Sequence, residues 1–113
     1  MRRPVIEELR HALPVEEACA RVRALTDYWD TRFGTRTCWD GPQGHISGKV
    51  LGIRFEGTFS VEREWLRGQL RAGFLGERLG GRGYVLRKLA DYLDPARPLA
   101  ELRARIARAQ PRP

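Results

Sequence analysis

Four side chains in this 113-residue sequence are soft metal ligands: His11, Cys19, Cys38 and His45. Structural zinc sites bring their ligands in close pairs, CxxC or HxxxH. No such pair occurs here, so no metal is expected. Cys19 falls on an apolar helical stripe, where a free cysteine acts as a small hydrophobe. Cys38, His45 and Asp40 have the types of a thiol nucleophile, a base and an orienting carboxylate. Cys38 nevertheless sits in a β-prone run and reads as an ordinary strand residue. No catalytic or cofactor-binding residue is assigned, and the protein is not expected to be an enzyme.

Anion binding is the other chemistry the residue types suggest. The stretch Gly73–Gly83 holds five glycines with Arg78 and Arg82, and it precedes a helical pattern. A helix N-terminus attracts anions. The lysine and hydroxyl of a Walker loop are missing, however, as is the GxGxxG spacing of a dinucleotide site. The plain reading is a connector. Arg54, Arg67 and Arg71 share one face of a predicted sheet with Trp65, a basic surface with a stacking residue. Glu56, Glu62 and Glu64 dilute it, and no RNP strand, helix-turn-helix or KH loop accompanies it.

These residues are positioned by what reads as one small domain. The 42% apolar fraction is normal for a globular chain. The balance of 21 basic to 14 acidic residues gives a net charge of +7 and a pI near 10.4. Only Lys49 and Lys88 are lysines, the rest arginines. That skew fits either phosphate recognition, since guanidinium grips phosphate with two bonds, or a codon bias. Two cysteines are too few for a secreted disulfide scaffold. Met1–Glu8 turns acidic without an apolar core, so no secretion signal is expected. No apolar run is long enough for a membrane span. A cytoplasmic location is the expectation.

Along the chain, Val15, Cys19, Val22, Leu25 or Thr26, Trp29 and Phe33 recur at steps of three and four, predicting a helix that Gly34 stops. Arg21, Arg23, Asp27, Asp30 and Arg32 fall mostly elsewhere around the wheel. The period then changes to two. Thr35–Trp39 and His45–Val50 read as strands about the turn Asp40–Gly44, with a bend or bulge at Leu51-Gly52. Ile53, Phe55, Gly57, Phe59 and Val61 alternate with Arg54, Glu56, Thr58 and Ser60, and Leu66, Gly68, Leu70 and Ala72 with Arg67, Gln69 and Arg71. Tyr84–Asp94 returns to helical spacing. Residues 3–11 fit neither period cleanly.

The predicted fold is α+β: an antiparallel meander with a long N-terminal helix and a C-terminal helix packed on one face. It occupies residues 1–94. Residues 95–113 form an arginine-rich amphipathic tail with Leu99, Leu102 and Ile106 on one stripe. Its five arginines against Glu101 supply +4 of the chain's +7.

The run Gly57-Thr58-Phe59-Ser60-Val61, then Leu66-Arg67-Gly68-Gln69-Leu70, Gly73-Phe74-Leu75-Gly76 and Leu89-Ala90-Asp91-Tyr92-Leu93-Asp94 resembles the polyhydroxyalkanoic acid system (polyhydroxyalkanoate granule region) proteins. Leu9-Arg10-His11-Ala12-Leu13 resembles that family's early strand with its His-x-Leu ending, which favours a strand near residues 5–11. The resemblance spans roughly residues 5–94. It departs in the polar residues Glu77, Arg78 and Arg82 and in the tail after Pro95.

The resemblance implies a non-enzymatic accessory or regulatory protein of polyhydroxyalkanoate storage, with a granule surface or a storage-system protein as partner and no catalytic residue to carry over. Its candidate contact surface is Phe74, Leu75, Arg78, Arg82, Leu99, Leu102 and Ile106. The alternative is a nucleic-acid or other polyanion binder using Arg54, Arg67, Arg71, Arg103, Arg105 and Arg108. A sheet covered on one face leaves the other free, which makes a homodimer a third expectation.

Overall fold

Period-two alternation becomes a five-stranded antiparallel sheet in the computed structural model, which describes residues 5–50, 52–72 and 81–109. The strands are β1 (Val5–Arg10), β2 (Arg36–Asp40), β3 (Gln43–Val50), β4 (Ile53–Val61) and β5 (Trp65–Ala72). Their spatial order is β1-β5-β4-β3-β2, so β2 to β5 form the predicted meander and β1 returns to close the far edge. The residues near Val5–His11, whose periodicity is ambiguous, therefore form a strand, pairing Leu9 with Leu66 and Arg10 with Trp65.

The helix α1 (Val15–Phe33) ends where Gly34 turns left-handed at φ 73°, its N–H bonding back to the Asp30 carbonyl. Asp30 also accepts hydrogen bonds from the hydroxyls of Thr35 and Thr37, which steers the chain from α1 into β2. The hairpin turns follow the predicted punctuation. Asp40 pairs with Gln43 across Gly41-Pro42, and Val50 pairs with Ile53 across Leu51-Gly52.

The core lies between the sheet and the helices. Ile46, Phe59, Val61 and Leu66 face Ala18, Val22, Leu25 and Trp29 of α1, with Leu89, Tyr92 and Leu93 beside them. Trp39 stacks on Phe59 at a ring separation of 6.4 Å and donates its indole N–H to the Thr26 hydroxyl at 3.2 Å. The ring lies over Gly44, where an added Cβ would come within 2.9 Å of it.

Two elements differ from the sequence reading. The helix α2 (Gly81–Tyr92) begins three residues earlier than the spacing at Tyr84 indicates, so Gly81–Gly83 belong to a helix. Arg21, grouped with the charged residues that fall mostly off the apolar stripe of α1, is only 3% exposed. One of its terminal nitrogens donates to the carbonyls of Tyr92 at 3.1 Å and Asp94 at 3.0 Å. A cation bonding the last carbonyls of a helix satisfies orphan acceptors and complements the dipole. Arg21 thus ties α1 to the end of α2.

The last helix, α3 (Leu99–Arg108), packs against α1, and Leu102 is wholly buried in the common core with Ile106 against it. Residues 99–108 are part of the packed unit. Their stripe finds its partner within the chain because α1 is long enough to carry α2 and α3 side by side.

Candidate functional site

The three helices of the described residues pack on one side of the sheet, and no described element covers the other. Along every strand its side chains are the exposed set: Glu8 and Arg10 of β1, Arg67, Gln69 and Arg71 of β5, Arg54, Glu56 and Thr58 of β4, Gln43, His45 and Lys49 of β3, and Arg36, Cys38 and Asp40 of β2. The register orders them in rows. One row runs Glu8, Arg67, Ser60, Gln43, Asp40; the next continues through Gln69, Thr58, His45 and Cys38. A third holds Arg71, Glu56, Ser47 and Arg36, and a fourth pairs Arg54 with Lys49.

The pairing of charges differs from end to end. Arg67 lies between Glu62 at 3.4 Å and Glu8 at 3.8 Å. Arg10 stacks over the half-buried ring of Trp65, 5.9 Å from its centroid, at the same end. Exposed pairs of this kind add little stability, yet they set two carboxylates against the Arg67 charge. Trp65 stands about 20 Å along β5 from Arg71, at 3.3 Å per residue.

The suspected thiol chemistry is placed plainly. Cys38 and His45 are directly opposite on β2 and β3, both exposed. The carboxylate that meets His45 is Glu56, at 3.1 Å from Nε2, and not Asp40. Cys38, His45 and Glu56 all lie exposed on the open face, and among the described residues no enclosed donors of the kind that stabilise a reacting oxyanion stand beside them.

His11, by contrast, is buried. Its Nδ1 accepts the Leu13 N–H at 3.2 Å and its Nε2 lies 2.8 Å from the Glu62 carbonyl. Those two contacts fix the tautomer with the proton on Nε2. The His11 backbone N–H donates to the Glu64 carbonyl at 2.9 Å. Glu64 has φ 67°, a left-handed conformation uncommon for a residue with a side chain. His11 is therefore the clamp that holds the β4–β5 turn against the entry to α1. Among the described residues no group of three His, Cys, Asp or Glu is arranged to hold a metal ion.

The residues suggested as an apolar contact surface separate. Phe74, Leu75 and Arg78 lie outside the described residues, and Arg82 occupies the first turn of α2. Leu102 is a core residue, Ile106 packs against the core and Leu99 is half-buried. Arg103 and Arg108 are exposed. Arg105 is not free: it donates to Asp91 at 2.9 Å and stands over the Tyr92 ring at 5.4 Å. Burial pushes the Asp91 carboxyl up, but hydrogen bonds from Arg105 and Arg97 outweigh it and hold the group below the ordinary value. The same bond raises Arg105.

Sequence reasoning missed Arg36 and Lys49 as members of the basic face. The signal was available only through register, since the two residues are 13 positions apart and lie on β2 and β3. The architecture is that of an α+β protein with an antiparallel sheet covered on one side. No protein-family model, curated protein or solved structure matches the chain. Among the described residues no helix is long and apolar enough to cross a membrane.

Proposed function

We propose that this protein is a non-enzymatic accessory protein of polyhydroxyalkanoate storage, and that it acts by binding another protein of the storage system through the open face of its sheet. The observation that carries the reading is the polar, exposed outer face set against an inner face whose Ile46, Phe59, Val61 and Leu66 are buried under the helices. A surface lined by threonine, glutamine, serine and charges of both signs suits a protein partner and is poorly suited to bare polyester, which offers ester carbonyls and apolar chain. The resemblance over residues 57–61, 66–70 and 89–94 supplies the storage context. The burial of Leu102, with Ile106 against the core, removes most of the tail stripe as a polyester contact.

The test uses a fluorescent fusion in cells induced to store polyester. Thr58→Glu with Gln69→Glu places two carboxylates in adjacent strands at the centre of the open face. Native-like far-UV circular dichroism and thermal melting establish that the variant folds. Wild-type fusion on granule rims, with the folded variant diffuse, supports the reading. Diffuse wild-type fusion in polymer-rich cells refutes the storage role, and rim labelling that survives in the variant refutes the open face as the contact.

A further inference from the structure

Four cations at one end of the open face have no partner within the described protein. Arg36, Lys49, Arg54 and Arg71 are all exposed and none makes an ion pair, hydrogen bond or ring contact among the described residues. Register places them together: Arg54 beside Lys49, and Arg71 in one row with Glu56, Ser47 and Arg36. Adjacent strands are about 4.8 Å apart and successive outward residues about 6.7 Å apart, so the four occupy roughly 14 by 7 Å. Among the described residues Glu56 is the one carboxylate inside that area, and it is turned to His45 at 3.1 Å.

The rest of the face does not share this character. At its other end Glu8 and Glu62 engage Arg67, with Asp40 in the same row. On the helix side Arg105, Arg97 and Arg21 are bound by Asp91, Glu101 and backbone carbonyls. Other exposed arginines without a partner among the described residues, Arg63, Arg87, Arg103 and Arg108, lie off this face, whereas these four cations share one end of it.

We infer that this end of the sheet, Arg36, Lys49, Arg54 and Arg71, is a sequence-independent binding surface for the phosphate backbone of duplex DNA. Guanidinium groups match phosphate oxygens with paired hydrogen bonds. A duplex carries one charge per 1.7 Å of axis, about eight over 14 Å, enough to face all four cations. Single strands are held by aromatic platforms as well as charge. Trp65, the stacking residue of this face, stands at the opposite end under Arg10. Among the described residues no tryptophan, tyrosine or phenylalanine joins the four cations on this face, which favours the polymer whose bases are already stacked. This inference does not rest on the storage role.

Fluorescence anisotropy of the full chain with a labelled 30-base-pair duplex tests it. Four phosphate contacts give a slope of log affinity against log salt near −3.6, about a hundredfold loss between 50 and 200 mM. Arg54→Gln with Arg71→Gln lowers affinity at 50 mM at least tenfold and brings the slope to about −1.8. Arg103→Gln with Arg108→Gln, on the helix side, changes affinity less than twofold. Circular dichroism verifies the fold of each variant. The inference is overturned by wild-type affinity in the sheet variant, by a loss that follows the α3 pair, or by tenfold tighter binding of the separated strand. Capture of phosphatidylglycerol vesicles without capture of the duplex overturns it equally.

Discussion

Leu102→Ala is the perturbation that most directly separates a packed α3 from a solvated arm. Leu102 is 0% exposed and sits in the same cluster as Leu25, Leu89 and Tyr92. Removing a fully buried leucine side chain forfeits its transfer free energy and leaves a cavity, a combined cost of about 3 kcal/mol. A domain of this size has a total stability of about 5 to 15 kcal/mol, so the variant still folds but with a large fraction of its margin gone. With a denaturant slope of about 1.5 kcal/mol per molar, the urea midpoint falls by about 2 M. The corresponding drop in melting temperature is about 12 °C. Trp29 is 5% exposed within the same core, so tryptophan fluorescence reports the transition. Arg103→Ala, one residue away and exposed, is the control and shifts stability by no more than about 0.5 kcal/mol. A Leu102→Ala loss below about 1 kcal/mol, with unchanged slope, refutes the docking of α3. For the same reason, deleting everything beyond Asp94 removes part of the core and is not a neutral way to lower the net charge.

His11→Phe keeps the volume of the ring but strands the Leu13 N–H and the Glu62 carbonyl; it costs about 2 to 4 kcal/mol in urea unfolding and loosens the turn at Glu64. Gly44→Ala drives a methyl to within 2.9 Å of the Trp39 ring; overpacking lowers stability by about 1 to 3 kcal/mol, and near-ultraviolet circular dichroism registers the displaced indole. Asp91 titrates below its ordinary value of 3.8 in the folded chain, so between that value and the lower folded one the unfolded chain binds more protons. Its contribution is present above pH 4 and is lost as the pH falls through the folded value; Asp91→Asn flattens the acid limb of a melting-temperature profile, and an unchanged limb refutes the pairing.

Much of this fold is legible in the sequence because β4 and β5 are one-faced strands. Phe59, Val61 and Leu66 go in, and Arg54, Glu56, Arg67 and Arg71 stay out, as strict alternation requires. The helix α1 declares itself by its stripe and by Gly34. What the pattern hides is tertiary. β1 has too few alternating positions to reveal a strand, and it becomes one by pairing with an edge 60 residues away. Arg21 looks solvated on a helical wheel, and only the arrival of the α2 carbonyls gives its guanidinium a reason to be buried. The stripe of Leu99, Leu102 and Ile106 is visible, but not whether it faces a partner or α1.

The same limit governs the candidate site. Composition gives a surplus of arginine without saying which arginines are available, and availability is what anion binding requires. Arg67 and Arg71 are two turns of the same alternation, indistinguishable in sequence, yet one lies between Glu8 and Glu62 while the other has no partner among the described residues. Arg105 has the look of a tail cation and is committed to Asp91. Conversely, Arg36 and Lys49 sit in ordinary strand contexts and gain significance only because β2 and β3 carry them to the end of the face where Arg54 and Arg71 arrive. Net charge is therefore a poor guide to the partner of this protein. The useful quantity is the charge left unpaired and clustered once the register is known, and on the open face, among the described residues, four such cations come together from four different strands.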